Sequence, residues 1–573
     1  MVKAGADSPP VGRRFVLIVV LVSLALSAPM LAAGYWMDDY YFGSELTTLD
    51  KPFGLYDFGD KLHTAQIAPW WASPEFRISF FRPLSSATLY LDFFVWRGNA
   101  TLAHLHSALW FVLLLLGALR LLQRLLPPRQ TRWAAVIFAV SACHAFTVGW
   151  IAARHAALGG AIAAWSLFFY FAWRQEGARK NAVFSLALYV LGLLASETAL
   201  AVAALVVAYE LVGAQGAWRA RLAAAAPYVG LGLVYVLFYK LAGYGAYGSG
   251  VYADPSVHPG RFLGALPGKT VSMIATYLFG VPTSLSYMPG MEHIPVVLGT
   301  FALVLLGVGV AVTWRHLSPD LRRQARWLGL GCLLALAPGL AALPQGRSAA
   351  MSFCAFSALA GLVVAGLFAA RPAWPGRLLP LGTALLLCLG LVVTSPLLRL
   401  ALGGVGLKGG QDEVKLATRS PLRCARGARV FMLNGGLLFS IKTPFVVAHH
   451  RGRFFRGWHQ LTEPGNDIKV QRTGKNTLVV SGGDEPVINP FVLRLMRPHE
   501  DLKAGRVVNR PYLQSKVLAA KAGHPTRVRF TIPHLDDPQR VCLLRFDTKE
   551  GLLQPVDLKV GAKPLTIKWH RPQ

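Results

Sequence analysis

The chain has 573 residues, of which 54% are hydrophobic and 15% are charged. Soluble domains carry about 25% charged residues, so this composition excludes a single soluble enzyme, a disordered chain and a disulfide-rich scaffold. Apolar runs recur from about residue 15 to residue 398 and then stop. The sequence therefore predicts a polytopic α-helical membrane protein that carries a C-terminal soluble domain.

Basic residues exceed acidic ones throughout the chain, with 58 Lys and Arg against 28 Asp and Glu and a net charge of +30. Residues 401–573 hold 29 basic and 13 acidic residues and so carry about half of this excess. The remainder lies mostly in short loops between apolar segments, a pattern that orients helices in a membrane. We interpret the charge as a topology signal and an attraction to membrane lipids, and expect no nucleic-acid partner.

The first predicted span runs from Phe15 to Ala33 and follows three basic residues. Its length is sufficient to cross about 30 Å of hydrocarbon, which favours an uncleaved anchor. A cleaved signal peptide is the alternative, because small residues lie near the end of the run. The basic flank predicts a cytoplasmic N-terminus, and residues 35–102 then form a first outer loop with interfacial helices.

Ten further spans alternate with basic loops, as the positive-inside rule requires. Residues 271–288 are only moderately apolar and contain Pro282, and we interpret them as a re-entrant or interfacial segment on the outer side. This gives about 11 spans in a transmembrane domain of residues 1–400. The ten spans are 105–122, 134–152, 156–173, 182–195, 198–213, 223–241, 295–313, 327–343, 350–370 and 377–397.

Residues 401–573 form the predicted C-terminal domain outside the cytoplasm. Short runs such as Val430–Leu433, Thr477–Val480 and Val528–Ile532 are rich in β-branched residues and are bounded by turn residues. This pattern is typical of an antiparallel β domain. Cys424 and Cys542 lie in it, where a disulfide would persist, but nothing in the sequence fixes their distance, so the pairing stays open.

Two adjacent carboxylates, Asp38 and Asp39, directly follow the first span within the sequence GYWMDDYYF. Burial and mutual repulsion at such a place raise the pKa of a carboxyl group and improve it as a general base. An interfacial loop is the alternative, because Tyr and Trp prefer that depth in any membrane protein.

Other ionisable residues recur at the predicted outer ends of later helices, where lipid makes them costly. One such residue is usually a snorkelling or paired side chain, whereas several of both signs on one face indicate a site. These residues are Arg82, His104, His106, His144, Arg154, Glu197 and Arg347.

The order of these motifs resembles the GT-C superfamily, the membrane glycosyltransferases that use polyprenyl-phosphate sugars. Within it, the chain is most similar to the transmembrane O-mannosyltransferases with tetratricopeptide repeats. The resemblance covers about residues 35–370, from Asp38-Asp39 and Arg82-Pro83-Leu84 to Arg347. The chain departs from that branch at Phe146 and Ala156, where the family shows acidic residues, and in its β-rich tail, which replaces the repeats.

The resemblance implies an enzyme that moves a sugar from a polyprenyl-phosphate donor to a glycan, a lipid-linked saccharide or a protein. The reaction would take place on the outer face of the bacterial cytoplasmic (inner) membrane. Asp39 is then the first candidate for the general base and Asp38 the second, while Arg82, Arg154 and Arg347 bind the donor phosphate. The supporting residues are His144, Glu197, His104 and His106.

No cofactor is certain from these residues, although His144 and Glu197 could ligate a divalent cation. Two other functions stay open. One is a non-catalytic membrane assembly factor, and the other is a transporter or polymerase of lipid-linked glycans, although internal repeats typical of transporters are not evident in the sequence.

Overall fold

The computed structural model describes residues 11–48, 53–58, 68–288, 290–370, 376, 378–436, 439–453, 455–497 and 502–569. Parts of the predicted first outer loop, residues 49–52 and 59–67, lie outside the described residues, as does residue 377 at the start of the last predicted span. The described residues form a helical bundle followed by a β-rich domain. Each part has its own apolar core.

Helices account for most of the described chain up to residue 419. These helices are α1 (Arg13–Ala25), α2 (Ala28–Leu31), α3 (Asp38–Thr48), α4 (Pro83–Trp96), α5 (Ala100–Leu125), α6 (Pro128–Val140), α7 (Ala145–Gly149), α8 (Arg154–Glu176), α9 (Arg179–Ala195), α10 (Ala201–Ala208), α11 (Trp218–Leu241), α12 (Pro259–Phe279), α13 (Ile294–Trp314), α14 (Pro319–Leu340), α15 (Ala350–Ala369), α16 (Leu378–Cys388) and α17 (Ser395–Arg419).

Six helical segments of the described chain are long and apolar enough to cross a membrane, and a seventh is obtained if the bent pair of segments 128–140 and 142–149 counts as one. The predicted number of about 11 spans is therefore not confirmed. The first predicted span is broken, because α1 ends at Ala25 after 13 residues and α2 begins at Ala28. Helix α9 has 17 residues, which is also short for a span.

Helix α12 begins before the segment that the sequence marks as re-entrant. The Lys269 Nζ donates a hydrogen bond to the main-chain oxygen of Leu340 at 2.7 Å, and the Thr283 hydroxyl donates to that of Pro344. Positions 269 and 283 therefore both lie beside residues 340–344, so the chain turns back after Phe279. This reversal agrees with a re-entrant segment, whose depth in a bilayer stays a prediction.

Helix α17 continues through the predicted domain boundary at residue 400 and ends at Arg419. The predicted boundary therefore falls within this helix. Glycines on α17 permit close packing against the chain that leads to Asp38: a Cβ added at Gly410 would lie 2.2 Å from the main-chain oxygen of Ala33. The helix therefore continues because tertiary packing favours it beyond the end of the apolar run.

The β-rich domain contains two sheets, and the predicted strands near residues 430, 478 and 529 are confirmed. A six-stranded antiparallel sheet has the order β12-β5-β6-β9-β8-β7, and a four-stranded sheet has the order β11-β10-β3-β4. The domain strands are β3 (Arg429–Met432), β4 (Gly457–Gln460), β5 (Ile468–Gly474), β6 (Thr477–Ser481), β7 (Val507–Arg510), β8 (Leu513–Lys521), β9 (His524–Thr531), β10 (Val541–Asp547), β11 (Leu552–Pro555) and β12 (Leu565–Ile567).

The expectation of a purely antiparallel domain is wrong for the four-stranded sheet, because β3 pairs in parallel with both β4 and β10. A parallel pair needs a crossover connection, and helix α18 (Phe439–Arg451) provides the one between β3 and β4. A second helix of the domain, α19 (Pro490–Met496), lies between β6 and β7. Cys424 and Cys542 form a disulfide, which settles the pairing that the sequence left open.

The first outer loop packs into the β-rich domain. Trp70 and Trp71 are each 1% exposed and belong to the apolar core of that domain. The Trp70 indole donates to the main-chain oxygen of Leu461 at 2.9 Å, and Arg497 Nε donates to that of Trp71 at 2.8 Å. Strand β1 (Arg77–Ser79) in this loop also pairs with β2 (Gly245–Tyr247). The domain thus fixes the loop that covers the end of the bundle.

Candidate active site

A cavity of about 260 Å³ lies where the first outer loop, the bundle and the β-rich domain meet. Leu495 and Met496 of α19 close it from the side of the domain. Four of the nine predicted site residues line the cavity, and His155, which was not among them, does so as well. The ionisable side chains in the lining include Asp38, Arg82, His155, Glu197 and Arg347.

Asp38 occupies the first turn of α3 and lines the cavity. Within the described residues, its carboxylate forms no hydrogen bond or ion pair with another group. Burial raises the pKa of Asp38 to about 6, against the opposing effects of Arg347 and Lys442, while Glu413 raises it further. A carboxylate with such a pKa is largely ionised at neutral pH and is a better base than an exposed one.

Asp39 is 3% exposed and is absent from the cavity lining. Its Oδ1 accepts a hydrogen bond from the main-chain N–H of Ala152 at 2.6 Å, and its Oδ2 accepts one from that of Trp36 at 3.0 Å. Burial raises the pKa of Asp39 well above its usual value. Both oxygens are committed to holding the backbone, so the predicted order of the two carboxylates is reversed by the geometry.

Arg347 lies in a short 3-10 turn that precedes α15. Its guanidinium carbon is 4.0 Å from the ring centroid of Trp150, and its buried Nη1 has no hydrogen-bond partner among the described residues. A close approach at the preceding Gly346, where a Cβ would lie 2.7 Å from the Cα of Cys143, holds the turn against the bundle. Arg347 therefore offers a cation to a ligand in the cavity.

Arg82 and Glu197 form a two-bonded ion pair on the cavity wall. The Arg82 Nε lies 2.9 Å from Glu197 Oε2, and the Arg82 Nη2 lies 2.5 Å from Glu197 Oε1. Burial alone would raise the pKa of Glu197, but the Arg82 charge and hydrogen bonds outweigh it and lower that pKa. The guanidinium also lies 4.2 Å from the ring centroid of Phe80. Arg82 is thus largely neutralised within the protein.

Arg154 is not among the described residues that line the cavity, so its place beside the donor phosphate stays a prediction. Its side chain is fully buried and forms a salt bridge with Asp92. Its Nε donates to the Ser107 hydroxyl at 3.0 Å, and its Nη2 donates to the main-chain oxygen of Ala103 at 2.8 Å. The His106 Nδ1 lies 2.5 Å from Asp92 on the other side. This cluster therefore joins α4, α5 and α8 to one another.

His144 and His104 also lie outside the cavity lining. The His144 Nε2 lies 2.9 Å from the main-chain oxygen of Phe138, and its ring packs against Phe111 and Phe353. The His104 Nε2 lies 2.8 Å from the main-chain oxygen of Gly34. Both rings bind neighbouring backbone, so the predicted supporting roles of these histidines and of His106 have no geometric basis in the cavity.

Most lining residues were not among the predicted site residues, and three of them are His155, Tyr56 and Tyr252. His155 follows Arg154 directly, so the same polar hairpin could have indicated it. Tyr56 and Tyr252 come from the two outer loops and carry no sequence signal that separates them from other tyrosines. The Tyr56 ring centroid is 5.5 Å from that of His155, and its hydroxyl donates to Ala152. Burial raises the pKa of Tyr56, which therefore acts as a hydrogen-bond donor at neutral pH.

Among the described residues, no group of three or more His, Cys, Asp or Glu side chains is arranged to hold a metal ion. Asp38 and Glu197 both line the cavity, but Glu197 is engaged by Arg82. The divalent cation that the sequence allows stays a prediction.

Known proteins of similar sequence or structure give a comparison for this fold. No family profile matches the chain, and no curated protein sequence matches it. ArnT from Cupriavidus metallidurans, solved bound to undecaprenyl phosphate, is similar with a TM-score of 0.40 and 14% identity, over 76% of this chain and 84% of that one. The Archaeoglobus fulgidus oligosaccharyltransferase tethered with an acceptor peptide has a TM-score of 0.43 and 12% identity, over 78% of this chain and 64% of that one.

A mycobacterial arabinofuranosyltransferase, AftD, has a TM-score of 0.37 and 15% identity, over 93% of this chain and 42% of that one. The chain therefore spans less than two thirds of the length of the last two proteins. Likeness of this size does not assign an activity. The fold and the cavity define a helical protein that has several segments fit to span a membrane and a cavity with ionisable side chains under its β-rich domain.

Proposed function

We propose that the protein is a membrane glycosyltransferase of the GT-C type. It transfers a sugar from a polyprenyl-phosphate donor to a hydroxyl of a glycan, a lipid-linked saccharide or a protein. The observation that carries the proposal is that one cavity contains two groups without a partner among the described residues, the carboxylate of Asp38 and a guanidinium nitrogen of Arg347. An acid-base group and a phosphate-binding cation are the two requirements of this transfer.

The proposed reaction begins when an acceptor oxygen attacks the anomeric carbon of the donor sugar. The bond between that carbon and the phosphate oxygen breaks, and the polyprenyl phosphate leaves with the bonding electrons. Asp38 takes the proton of the acceptor hydroxyl. Arg347 binds the phosphate and stabilises the negative charge that develops on it. Attack opposite the leaving group inverts the configuration of the anomeric carbon.

The other lining residues position the reactants in this scheme. The Arg82–Glu197 pair is internally neutral, so it presents a polar wall and leaves Arg347 as the unpaired cation nearest to Asp38 within the described lining. The Tyr56 and Tyr252 side chains add aromatic surface and hydroxyl groups that suit a sugar ring. His155 also lines the cavity, with its ring beside that of Tyr56.

The location follows from the same chemistry. A lipid-linked donor is needed where nucleotide sugars are absent, which is outside the cytoplasm. We therefore place the cavity and the β-rich domain on the periplasmic side of a bacterial cytoplasmic membrane, with the N-terminus in the cytoplasm. The disulfide between Cys424 and Cys542 supports this side, because disulfides persist in oxidising compartments.

A transfer assay with purified protein tests the proposal. Polyprenyl-phosphate sugars and the matching nucleotide sugars are supplied with a panel of acceptors, and product is followed for the wild type and for Arg347→Met. We expect transfer from at least one lipid-linked sugar and none from nucleotide sugars, with a large loss in the variant. A folded wild-type protein that transfers no sugar from any lipid would favour the non-catalytic assembly factor.

A further inference from the structure

A second cavity of about 290 Å³ lies beside the first and is separated from it by a thin wall. Successive residues of the wall face opposite sides: Tyr252 lines the first cavity, whereas Val251 and Ala253 line the second. In α19, Leu495 and Met496 line the first cavity, and the preceding arginine lines the second. The two cavities are therefore neighbours with different linings.

The wall between the cavities is closely packed. The Gly250 N–H donates to the main-chain oxygen of Arg494 at 2.8 Å, and the Ala253 N–H donates to that of Ala341 at 2.9 Å. A Cβ added at Gly250 would lie 2.3 Å from the Arg494 oxygen. A ligand of the second cavity would therefore be held apart from Asp38.

Three basic side chains line the second cavity against one acidic side chain, Glu292, so the lining carries a net positive charge. Arg261 Nη2 donates to the main-chain oxygen of Ser249 at 3.2 Å, but its Nη1 is buried and has no hydrogen-bond partner among the described residues. Lys269 binds main-chain oxygens. Within the described chain, the Arg494 side chain forms no hydrogen bond or ion pair. Two guanidinium groups are therefore available to an anion.

The surroundings of the cavity are apolar and exposed. Val296 on α13 lines the cavity, and its neighbour Val297 is 63% exposed. Leu263 on α12 is 61% exposed. Helix α13 is one of the segments fit to cross a membrane. An anionic lipid has a negatively charged head group and apolar acyl chains. The basic cavity suits the head group, and the exposed apolar side chains beside it suit the acyl chains.

We propose that the second cavity binds the phosphate group of an anionic membrane lipid. Arg261 and Arg494 bind the phosphate oxygens, for which the planar guanidinium group is well suited. Lys269 adds a positive charge, and the acyl chains lie along the exposed faces of α12 and α13. The site is distinct from the cavity that contains Asp38 and does not depend on the transferase activity.

Two variants remove the site by different means. Arg494→Gln deletes a cation whose side chain has no polar partner to lose among the described residues. Gly268→Leu fills the cavity without a change of charge, because Gly268 lines it and a Cβ there would meet no atom within 4 Å. Gly264→Leu is the matched control, since Gly264 is equally open but does not line the cavity.

Native mass spectrometry of the purified full-length protein measures the binding. Dioleoyl phosphatidic acid is the probe, and dioleoyl phosphatidylcholine is the comparison lipid without net charge. We expect the wild type and Gly264→Leu to retain phosphatidic acid in preference to phosphatidylcholine. Arg494→Gln should lose about tenfold in apparent affinity, the size expected for one charge-assisted hydrogen bond. Gly268→Leu should lose at least as much, because its side chain occupies the space of the phosphate.

Equal retention of phosphatidic acid by all four proteins would overturn the proposal. An added arm contains inorganic phosphate alone. If inorganic phosphate binds and Arg494→Gln abolishes that binding while no lipid is retained preferentially, the occupant is a free anion and the lipid assignment is wrong. If phosphatidic acid stays bound in the presence of millimolar inorganic phosphate, the lipid assignment is supported.

Discussion

Asp38 and Asp39 are adjacent in α3, but their carboxylates have different surroundings. Both carboxylates lie in the first turn of α3, but only Asp38 lines the cavity. Asp39 binds the main-chain N–H groups of Trp36 and Ala152 and thereby fixes the helix start against the bundle. Asp38 is therefore the carboxylate that can meet a ligand in the cavity, whereas Asp39 binds the backbone.

The pH dependence of transfer should report the ionisation of Asp38. The pKa of this carboxyl group is raised to about 6, chiefly by burial. A general base acts in its deprotonated form, so kcat/KM should rise about tenfold per pH unit below about pH 6 and level off above it. Initial rates between about pH 5 and pH 8 give the measurement. A profile that is flat down to about pH 5 would exclude Asp38 as the base.

Lys442 and Glu413 should move that pH profile in opposite directions. Lys442 lies 2.6 Å from Glu413, whose other oxygen accepts the Met37 N–H at 3.1 Å. Lys442 lowers the pKa of Asp38 and Glu413 raises it. Lys442→Met should therefore shift the acidic limb of the profile to higher pH, and Glu413→Gln should shift it to lower pH. Shifts of the same sign in both variants would contradict this electrostatic account.

At the scale of elements, the cluster of Arg154, Asp92 and His106 joins three helices that the sequence alone treats as separate. Arg154 is fully buried in this cluster, where it pairs with Asp92. Asp92 lies on α4, and nothing in the sequence predicts that α4 packs beside α8. Contacts between segments that are distant in sequence depend on the tertiary fold, and the order of motifs along the chain does not predict them.

Arg154→Met should destabilise the protein, because it leaves the Asp92 carboxylate buried without its partner. Breaking a buried ion pair costs about 3–5 kcal/mol. Thermal unfolding in detergent should show a lower midpoint for Arg154→Met, and Arg154→Met/Asp92→Asn should recover part of the loss. If the single variant unfolds like the wild type but transfers no sugar, Arg154 acts in the chemistry after all.

Local hydropathy predicted most helices of the bundle, because an apolar run determines its own burial in lipid. It did not predict the break after Ala25 or the continuation of α17 to Arg419, since both depend on packing. Strands of the β-rich domain were visible as β-branched runs, but the parallel pairing of β3 was not, because pairing partners are distant in sequence.

The residues of the candidate site, too, could be predicted from the sequence only where a local pattern distinguishes them. Asp38, Arg82, Glu197 and Arg347, which line the cavity, were chosen as candidates because ionisable residues beside apolar helices are unusual. Sequence could not separate them from Arg154, whose partners are tertiary. The tyrosines of the outer loops reach the cavity only through folding and carry no local pattern.

At the scale of the whole molecule, the β-rich domain packs against the bundle and forms part of the cavity wall. Residues of α19 line it, Lys442 of α18 lies near Asp38, and Trp70 and Trp71 of the first loop are buried in the domain core. A change that destabilises the domain should therefore also disturb the geometry of the cavity.

The disulfide between Cys424 and Cys542 closes a loop with a sequence separation of 118 residues. A loop of about this length contributes on the order of 4–5 kcal/mol in the chain-entropy account. Reductant should therefore lower the unfolding temperature of the domain and increase its cleavage in limited proteolysis. The Cys424→Ser/Cys542→Ser variant should already unfold at the lower temperature and should not respond to reductant. A wild-type protein insensitive to reductant would contradict this expectation.

The central claim is that Asp38 accepts the proton of the acceptor in a transfer from a lipid-linked sugar. The most direct measurement is the transfer rate of Asp38→Asn with a donor that the wild type uses, with Asp412→Asn on the exposed face of α17 as the control. We predict a loss of about 10²–10⁴-fold for Asp38→Asn and a rate near that of the wild type for the control. A folded Asp38→Asn protein that transfers sugar at the wild-type rate would contradict the claim.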